Sequence, residues 1–256
     1  MQSLYGAIAN TNKKEIMAIS VDTVYQKVLA LANKEQRGYI TPQEYNLLAN
    51  KAQLLIFEQY FYDIDKALKT HGNSTEYSDK IDILAEKIVP FENFKVAMSA
   101  VSGNELTLPT STAVHKLGTV FYAAGAYDVE VERVEKNALH YMERTALAAP
   151  TDARPVYIRK VRSSIKIFPS SPSVAYSTSN VTCNYINKPR DVVWGYVVAN
   201  NKALYDSTLS YNFELQDGEE NELVYKILEL SGVVLNKPGI VEIAGKEDNE
   251  LIVKKQ

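Results

Sequence analysis

The spacing of apolar residues changes once along this chain, and that change divides it. Residues 1–17 carry no period and mix Gly6, Asn10, Asn12, Lys13 and Lys14, which predicts a loose leader. Met17 is a second plausible start, which would make the leader an extension. Val21, Val24, Val28, Leu29 and Leu31 then form one broad stripe, the pattern of an amphipathic helix. After a turn at Gly38, a second helix announces itself with Thr41 at the N-cap, Pro42 at the first helical position and Glu44 at the third. Its centre, Leu54 to Tyr62, is polar only at Glu58 and Gln59. A helix apolar nearly all round needs cover on more than one side. Part of that cover is expected from a neighbouring subunit, through Leu55, Phe57, Tyr60, Phe61 and Tyr62. His71-Gly72-Asn73-Ser74 breaks the helix. A third is predicted from Tyr77 to Val89, with Ile81, Leu84, Ala85 and Ile88 facing inward and Pro90 ending it.

From Phe94 the period is two. Val129 and Val131 alternate with Asp128, Glu130 and Glu132; Val181, Cys183 and Tyr185 alternate with Thr182 and Asn184; Tyr211, Phe213 and Leu215 alternate with Asn212 and Glu214. Short strands punctuated by Pro, Ser and Asn read as an antiparallel sandwich or barrel. One helix, Lys136 to Leu147, interrupts them. Asp217-Gly218-Glu219-Glu220 is a further N-cap signal, before a helix that buries Leu223, Val224, Ile227 and Leu228 and stops at Gly232. The fold class is therefore α+β: a leader over 1–17, a helical hairpin or bundle over 18–92, and a β-rich domain over 93–218. A C-terminal helix packing on the helical domain, followed by an extended tail, completes it over 219–256.

Composition narrows the function more than the fold. The chain has 256 residues, 46% hydrophobic and 23% charged, with a formal charge of −3. Such a balance gives no global attraction for nucleic acid or an anionic membrane. The longest apolar run, Val192 to Ala199, is too short to cross a bilayer. Lys13, Lys14 and Glu15 stand where a signal peptide needs apolar residues. Cys183 is the single cysteine, so no internal disulfide framework exists. Together these predict a soluble chain made in a reducing compartment, its Asn73 and Asn180 sequons unused. Seventeen tyrosines against seven phenylalanines favour surfaces that are wet before assembly and buried afterwards, or else half-buried sheet faces.

No catalytic constellation follows from the motifs. Aligned on Gly38, a calcium-loop reading puts Asn33, Glu35, Arg37, Tyr39, Thr41 and Glu44 at the ligand positions. Arg37 places a cation where an oxygen is needed and Asn33 forfeits a charge, so the loop is read as a helix start and no metal is expected. Gly239 to Lys246 has five residues between its glycines and Glu247 where a phosphate loop needs a hydroxyl, so it fails. His71, His115 and His140 are not paired at metal spacing, and no Gly-x-Ser-x-Gly elbow exists. Cys183 reads as a small core residue. Asp128, Glu130 and Glu132 share one solvated strand face. Arg159, Lys160 and Arg162 interleave with Val156, Tyr157 and Ile158 as a strand edge or ring-lining feature. Neither enzymatic activity nor a cofactor is expected.

One resemblance adds to this. Val21-Asp22-Thr23-Val24-Tyr25 through Gly38-Tyr39-Ile40-Thr41-Pro42-Gln43-Glu44-Tyr45-Asn46-Leu47-Leu48-Ala49-Asn50 resembles the opening of structural proteins of tailed bacteriophages. Tyr185-Ile186-Asn187-Lys188-Pro189, Trp194-Gly195-Tyr196 and Phe213-Glu214-Leu215 continue it, so that residues 18–245 are similar to head-to-tail connector (adaptor or neck ring) proteins. The resemblance implies a virion protein synthesised in the host bacterial cytoplasm. It further implies a homo-oligomeric ring, usually of about twelve copies, that docks on the portal, meets a tail or further neck protein, and lets genomic DNA pass without specific binding. By the same resemblance, Pro238, Ile240, Val241, Leu251 and Ile252 contact the portal or a neighbouring subunit. The competing expectation is a β-sandwich module of a virion that binds carbohydrate or a host receptor through the aromatic residues around Trp194 and Tyr196.

Overall fold

The computed structural model describes residues 18–34, 40–69, 75–109, 114–123, 127–172, 174–200, 202–234 and 246. The Gly38 turn, His71, the leader and the tail residues Pro238, Ile240, Val241, Leu251 and Ile252 lie outside them. The chain forms two units: residues up to Pro90 together with those from Pro189 onward, and residues Phe91–Lys188 between them. The expected β-domain over 93–218 therefore ends about thirty residues early, because the segment after Pro189 returns to the helices.

In the first unit, α1 (Val21–Lys34) buries Val21, Val24, Tyr25 and Val28, while Leu31 stays 41% exposed, so its stripe is narrower than expected. α2 (Pro42–Lys69) starts where the sequence places it. The Glu44 carboxylate accepts from the Thr41 backbone N–H (2.9 Å) and hydroxyl (2.8 Å), and the Thr41 hydroxyl accepts from the Glu44 N–H at 3.3 Å. This reciprocal capping box satisfies two donors that the first turn would otherwise leave unpaired. It also holds the Glu44 carboxyl below its ordinary pKa. α3 (Thr75–Ile88) buries Ile88, half-buries Ile81 and Leu84, and leaves Ala85 exposed. A 3₁₀ turn over Val89–Phe91 contains Pro90.

The alternation of Tyr211, Phe213 and Leu215 buries the last two side chains, yet only Tyr211 makes a β-bridge, to Val193. The Phe213 N–H donates to the Ile19 carbonyl and the Glu214 N–H to the Gln53 side chain, so this stretch is an anchored loop and not a strand. Asp217–Glu219 forms a 3₁₀ turn with Gln216 in the cap position and no side-chain cap. Glu219 faces inward to Lys87 instead, which overturns the expected N-cap. α5 (Glu220–Val234) runs past Gly232, buries Leu223, Val224, Ile227 and Leu228, and packs on α1 and α2 as expected.

The second unit contains one curled, eight-stranded mixed sheet, half of a barrel, so the fold is α+β as expected, with a single mixed sheet where an antiparallel sandwich or barrel was expected. Its strands are β1 (Glu92–Ala97), β2 (Ser99–Ser102), β3 (Glu105–Thr107), β4 (Val114–Ala123), β5 (Asp128–Arg133), β6 (Val156–Val161), β7 (Ser164–Phe168) and β8 (Val181–Asn187), in the order β1-β8-β4-β5-β6-β7-β3-β2. All pairs are antiparallel except β5–β6, which are parallel because α4 (Lys136–Glu143) lies in the connection between them. α4 ends four residues before the expected Leu147, and the turn after it leaves Leu147 93% exposed. One sheet face packs Val120, Tyr122, Val131, Tyr157, Ile165, Ile167, Val181, Cys183 and Tyr185 into a core. On the other, Leu139 of α4 covers Val156 and Phe168. β6 sits between β5 and β7, so its basic residues are not on a sheet edge. The edge strand β1 carries a bulge and Lys95 at φ 49°, devices that blunt an edge against further pairing.

Candidate interaction surface

The chemistry of the first unit begins with three amides on one face of α2. Asn46, Asn50 and Gln53 are spaced four and three residues apart and line up along the helix. Each meets an extended segment at alternate residues. Asn46 Oδ1 accepts from Trp194 N–H (2.8 Å), and Asn46 Nδ2 donates to the Trp194 carbonyl (3.4 Å). Asn50 does the same for Val192, at 2.6 and 3.0 Å. Gln53 donates to the Arg190 carbonyl (2.8 Å) and accepts from Glu214 N–H (3.2 Å). A helix has no free backbone groups in its middle to pair with a strand. The amides supply a donor and an acceptor at the matching spacing and satisfy a buried backbone that would otherwise be costly.

The ladder seats Trp194, which is 3% exposed. Its indole N–H donates to Asp22 at 3.0 Å, and Tyr25 and Tyr196 pack on its ring at centroid distances of 4.6 and 5.7 Å. The Tyr25 hydroxyl donates to the Ile40 carbonyl, and the Tyr45 hydroxyl to the Val21 carbonyl. Burial, with the neighbouring Tyr25 and Asp22 charges adding to it, pushes the Tyr45 phenol far above its ordinary pKa. Trp194, the centre of the expected carbohydrate platform, thus spends its faces and its N–H inside the core. The platform reading loses its principal residue.

A ribbon rises from this root: β9 (Tyr196–Ala199) and β10 (Lys202–Tyr205) pair antiparallel, with Asn200 at φ 51° in the turn. At its base, Gly195 accepts from Asp206 N–H and donates to the Ser210 hydroxyl, each at 2.9 Å. A Cβ on Gly195 would lie 2.6 Å from the Leu209 backbone, so the approach needs glycine. Arg190 stacks 3.8 Å over the Tyr211 ring. The ribbon exposes apolar side chains on both faces: Val197 (51%) opposite Leu204 (55%), and Val198 (65%) opposite Ala203, with Leu209 (54%) beside them. A two-stranded ribbon open on both faces is a poor place to strand apolar surface unless something covers it.

The residues expected at an interface on α2 divide. Phe57 (0%) and Tyr60 (4%) are already buried within the chain, where α3 and α5 pack against α2. Leu55 and Phe61 are half-buried, and Tyr62 is 67% exposed. Much of the cover expected from a neighbour is thus supplied internally. Beside Tyr60, the Lys87 ammonium donates to Glu219 at 2.6 Å, with side-chain exposures of 13% and 3%, and lies 5.5 Å from the Tyr60 ring centroid. Burial first, then the Glu219 and Glu222 carboxylates, raise the Tyr60 phenol well above its usual pKa.

Asn46, Asn50 and Gln53 are absent from the residues the sequence singles out, because amides at helical spacing on a helix that also carries Lys51, Glu58 and Gln59 read as solvated positions. The ribbon is likewise absent from them, although two apolar runs flanking Asn200-Asn201 are its signal in the sequence. No helix among the described residues is long and apolar enough to cross a membrane. No protein-family model matches the sequence, and no curated protein matches it.

Proposed function

We propose that this chain is a structural subunit of a tailed-bacteriophage neck. It assembles with copies of itself into a ring that docks on the portal, extends the DNA channel and offers the tail, or a further neck protein, a place to bind. In this reading it is made in the host cytoplasm, resides in the virion, and neither catalyses a reaction nor holds a cofactor. The observation that carries it is the β9–β10 ribbon, rooted by the amide ladder and apolar on both faces. A rigid root with an apolar tip suits association, since holding the tip in place beforehand reduces the ordering cost of binding. Tyr62 and Leu68, 67% and 64% exposed near the end of α2, offer a second patch of the same chemistry. The resemblance of residues 18–245 to connector proteins supplies the partner, and the charge of −3 agrees with a lumen that DNA phosphates pass without adhering.

Native mass spectrometry of the purified chain, alone and mixed with a portal protein, tests this. Rings, or monomers that enter a ring only on the portal, are expected. Val198→Glu with Leu204→Glu should abolish that assembly and leave the far-ultraviolet circular dichroism spectrum and the unfolding midpoint unchanged. A monomer that ignores the portal, or a variant that assembles as the parent does, refutes the reading.

A further inference from the structure

A cleft in the second unit has a different chemistry from the ribbon. It has a volume of about 370 Å³ and is lined by Arg133, Val134, Glu135, Lys136, Asn137 and Arg159. The sequence explains why these meet. β5 and β6 run parallel, with Arg133 opposite Tyr157, so Arg133 and Arg159 stand on the same sheet face two residues apart. The chain leaving β5 then turns into α4 and brings Lys136 alongside. Both guanidinium groups act on the Tyr157 phenol, whose pKa burial raises and these two charges pull back down. Arg159 is held in place by its Nη2 donating to the Arg162 carbonyl at 2.7 Å.

Three cations around one cleft repel one another, and a single carboxylate, Glu135, lines it with them. Six lysines outside the cleft have a carboxylate partner, while others, such as Lys51, Lys116, Arg154 and Lys202, are in no described ion pair. The described ion pairs employ Lys27, Lys69, Lys87, Lys95, Lys160 and Lys226. Arg133, Lys136 and Arg159 take part in none of them. The contrast is sharpest between neighbours in sequence: Lys160 pairs with Glu105 at 2.7 Å, while Arg159 turns to the cleft. Two guanidinium groups and an ammonium match the oxygens of a phosphate group, the Arg133 fork offering paired N–H donors and Arg159 those that its Nη2 bond to the Arg162 carbonyl leaves over. The volume falls in the range of small-molecule sites.

We infer that this cleft binds a small phosphate-bearing ligand, with Arg133 and Arg159 gripping its oxygens and Lys136 contributing charge. This site is independent of the ribbon and of any assembly through it. Isothermal titration of the full chain with inorganic pyrophosphate in about 0.1 M salt reads the binding directly. Arg133→Ala with Arg159→Ala should weaken it at least tenfold. Arg133→Lys with Arg159→Lys should fall between the two, because charge is kept and the fork is lost. Lys160→Ala should bind as the parent does. Circular dichroism melts of each variant should match the parent, since the substituted side chains are exposed or half-buried. Pyrophosphate that does not bind, or that binds the double alanine variant as tightly, overturns the inference. A short single-stranded DNA that binds through these arginines when pyrophosphate does not also overturns it, and assigns the charge to a nucleic-acid backbone.

Discussion

Replacing Asn50 by leucine removes the middle rung of the ladder on α2 and tests what holds the Arg190–Trp194 segment. Val192 is fully buried, and its N–H and carbonyl both depend on the Asn50 side chain, at 2.6 and 3.0 Å. Leucine leaves both groups unpaired and offers little room for water to replace the amide. Each unsatisfied buried backbone group costs about 1–3 kcal/mol, so the expected loss for the two is about 2–6 kcal/mol. The third Asn50 bond, to the Asn46 carbonyl, adds little because the helix itself also uses that acceptor. Asn50→Asp should lie at the upper end, since it keeps the acceptor for the N–H but sets a carboxylate oxygen against the Val192 carbonyl. Urea unfolding followed by the emission of Trp194, the single tryptophan, reports this unit directly. With a slope of about 1–3 kcal/mol/M, a loss of about 3 kcal/mol moves the midpoint down by a molar or more. A loss below about 0.5 kcal/mol for Asn50→Leu, with the Trp194 emission maximum unmoved, would show that apolar contacts alone seat the segment.

Three further changes probe other parts of the argument. Lys87→Met should cost about 3 kcal/mol, because it strands the buried Glu219 carboxylate, and adding Glu219→Gln should recover most of that loss in the same urea titration. Gly195→Ala should cost about 1–3 kcal/mol by pushing Leu209 away, and amide exchange should quicken in the ribbon before it does in α2. Stability should also fall as the medium becomes alkaline. Burial pushes the Cys183 thiol up to about 11 and raises the Tyr45, Tyr60 and Tyr176 phenols, so between the unfolded and folded pKa values the native state holds the extra protons. The stabilisation is complete below about pH 8.5 and declines above it, by up to about 1.4 kcal/mol per pH unit for each group. Cys183→Ala should flatten the first part of that decline between about pH 9 and 11, and an unchanged slope would remove the thiol from the account.

What the sequence revealed of this fold was what short-range chemistry decides. Thr41, Pro42 and Glu44 mark a helix start because the capping box lies within four residues. Val129 with Val131, and Val181 with Cys183 and Tyr185, mark strands because the pleat alternates side chains wherever the partner strand comes from. Tyr211, Phe213 and Leu215 show the limit of that signal. Alternation reports that a segment has a wet face and a dry face, and here the backbone partners are a side chain and a loop carbonyl. The boundary at Pro189 and the place of β6 inside the sheet depend on pairings between distant segments, which no local period encodes. The ladder was illegible for a related reason. An amide on a helix looks like solvated surface until the backbone it serves is placed against it, and that backbone lies about 140 residues later.

The two surfaces that carry the proposals answer to different forces, and salt separates them. Val197, Val198, Leu204 and Leu209 offer a partner apolar area, whose burial does not weaken as ions screen charge and strengthens in excluded salts such as sulfate. Arg133, Lys136 and Arg159 offer only charge and directed N–H groups, at exposed or half-buried positions where the screening length falls from about 10 Å at 0.1 M salt to about 3 Å at 1 M. Assembly through the ribbon should therefore persist or tighten when sodium sulfate is raised toward 1 M, while pyrophosphate binding should fade in sodium chloride over the same range. Assembly that dissolves in sulfate would mean that charged groups join the subunits, leaving the apolar ribbon without the role given to it. Pyrophosphate binding indifferent to chloride would place the ligand on groups other than these three cations. Because the ribbon belongs to the segment that returns to α2 and the cleft to the β5–α4–β6 crossover, a substitution in one should leave the salt response of the other intact.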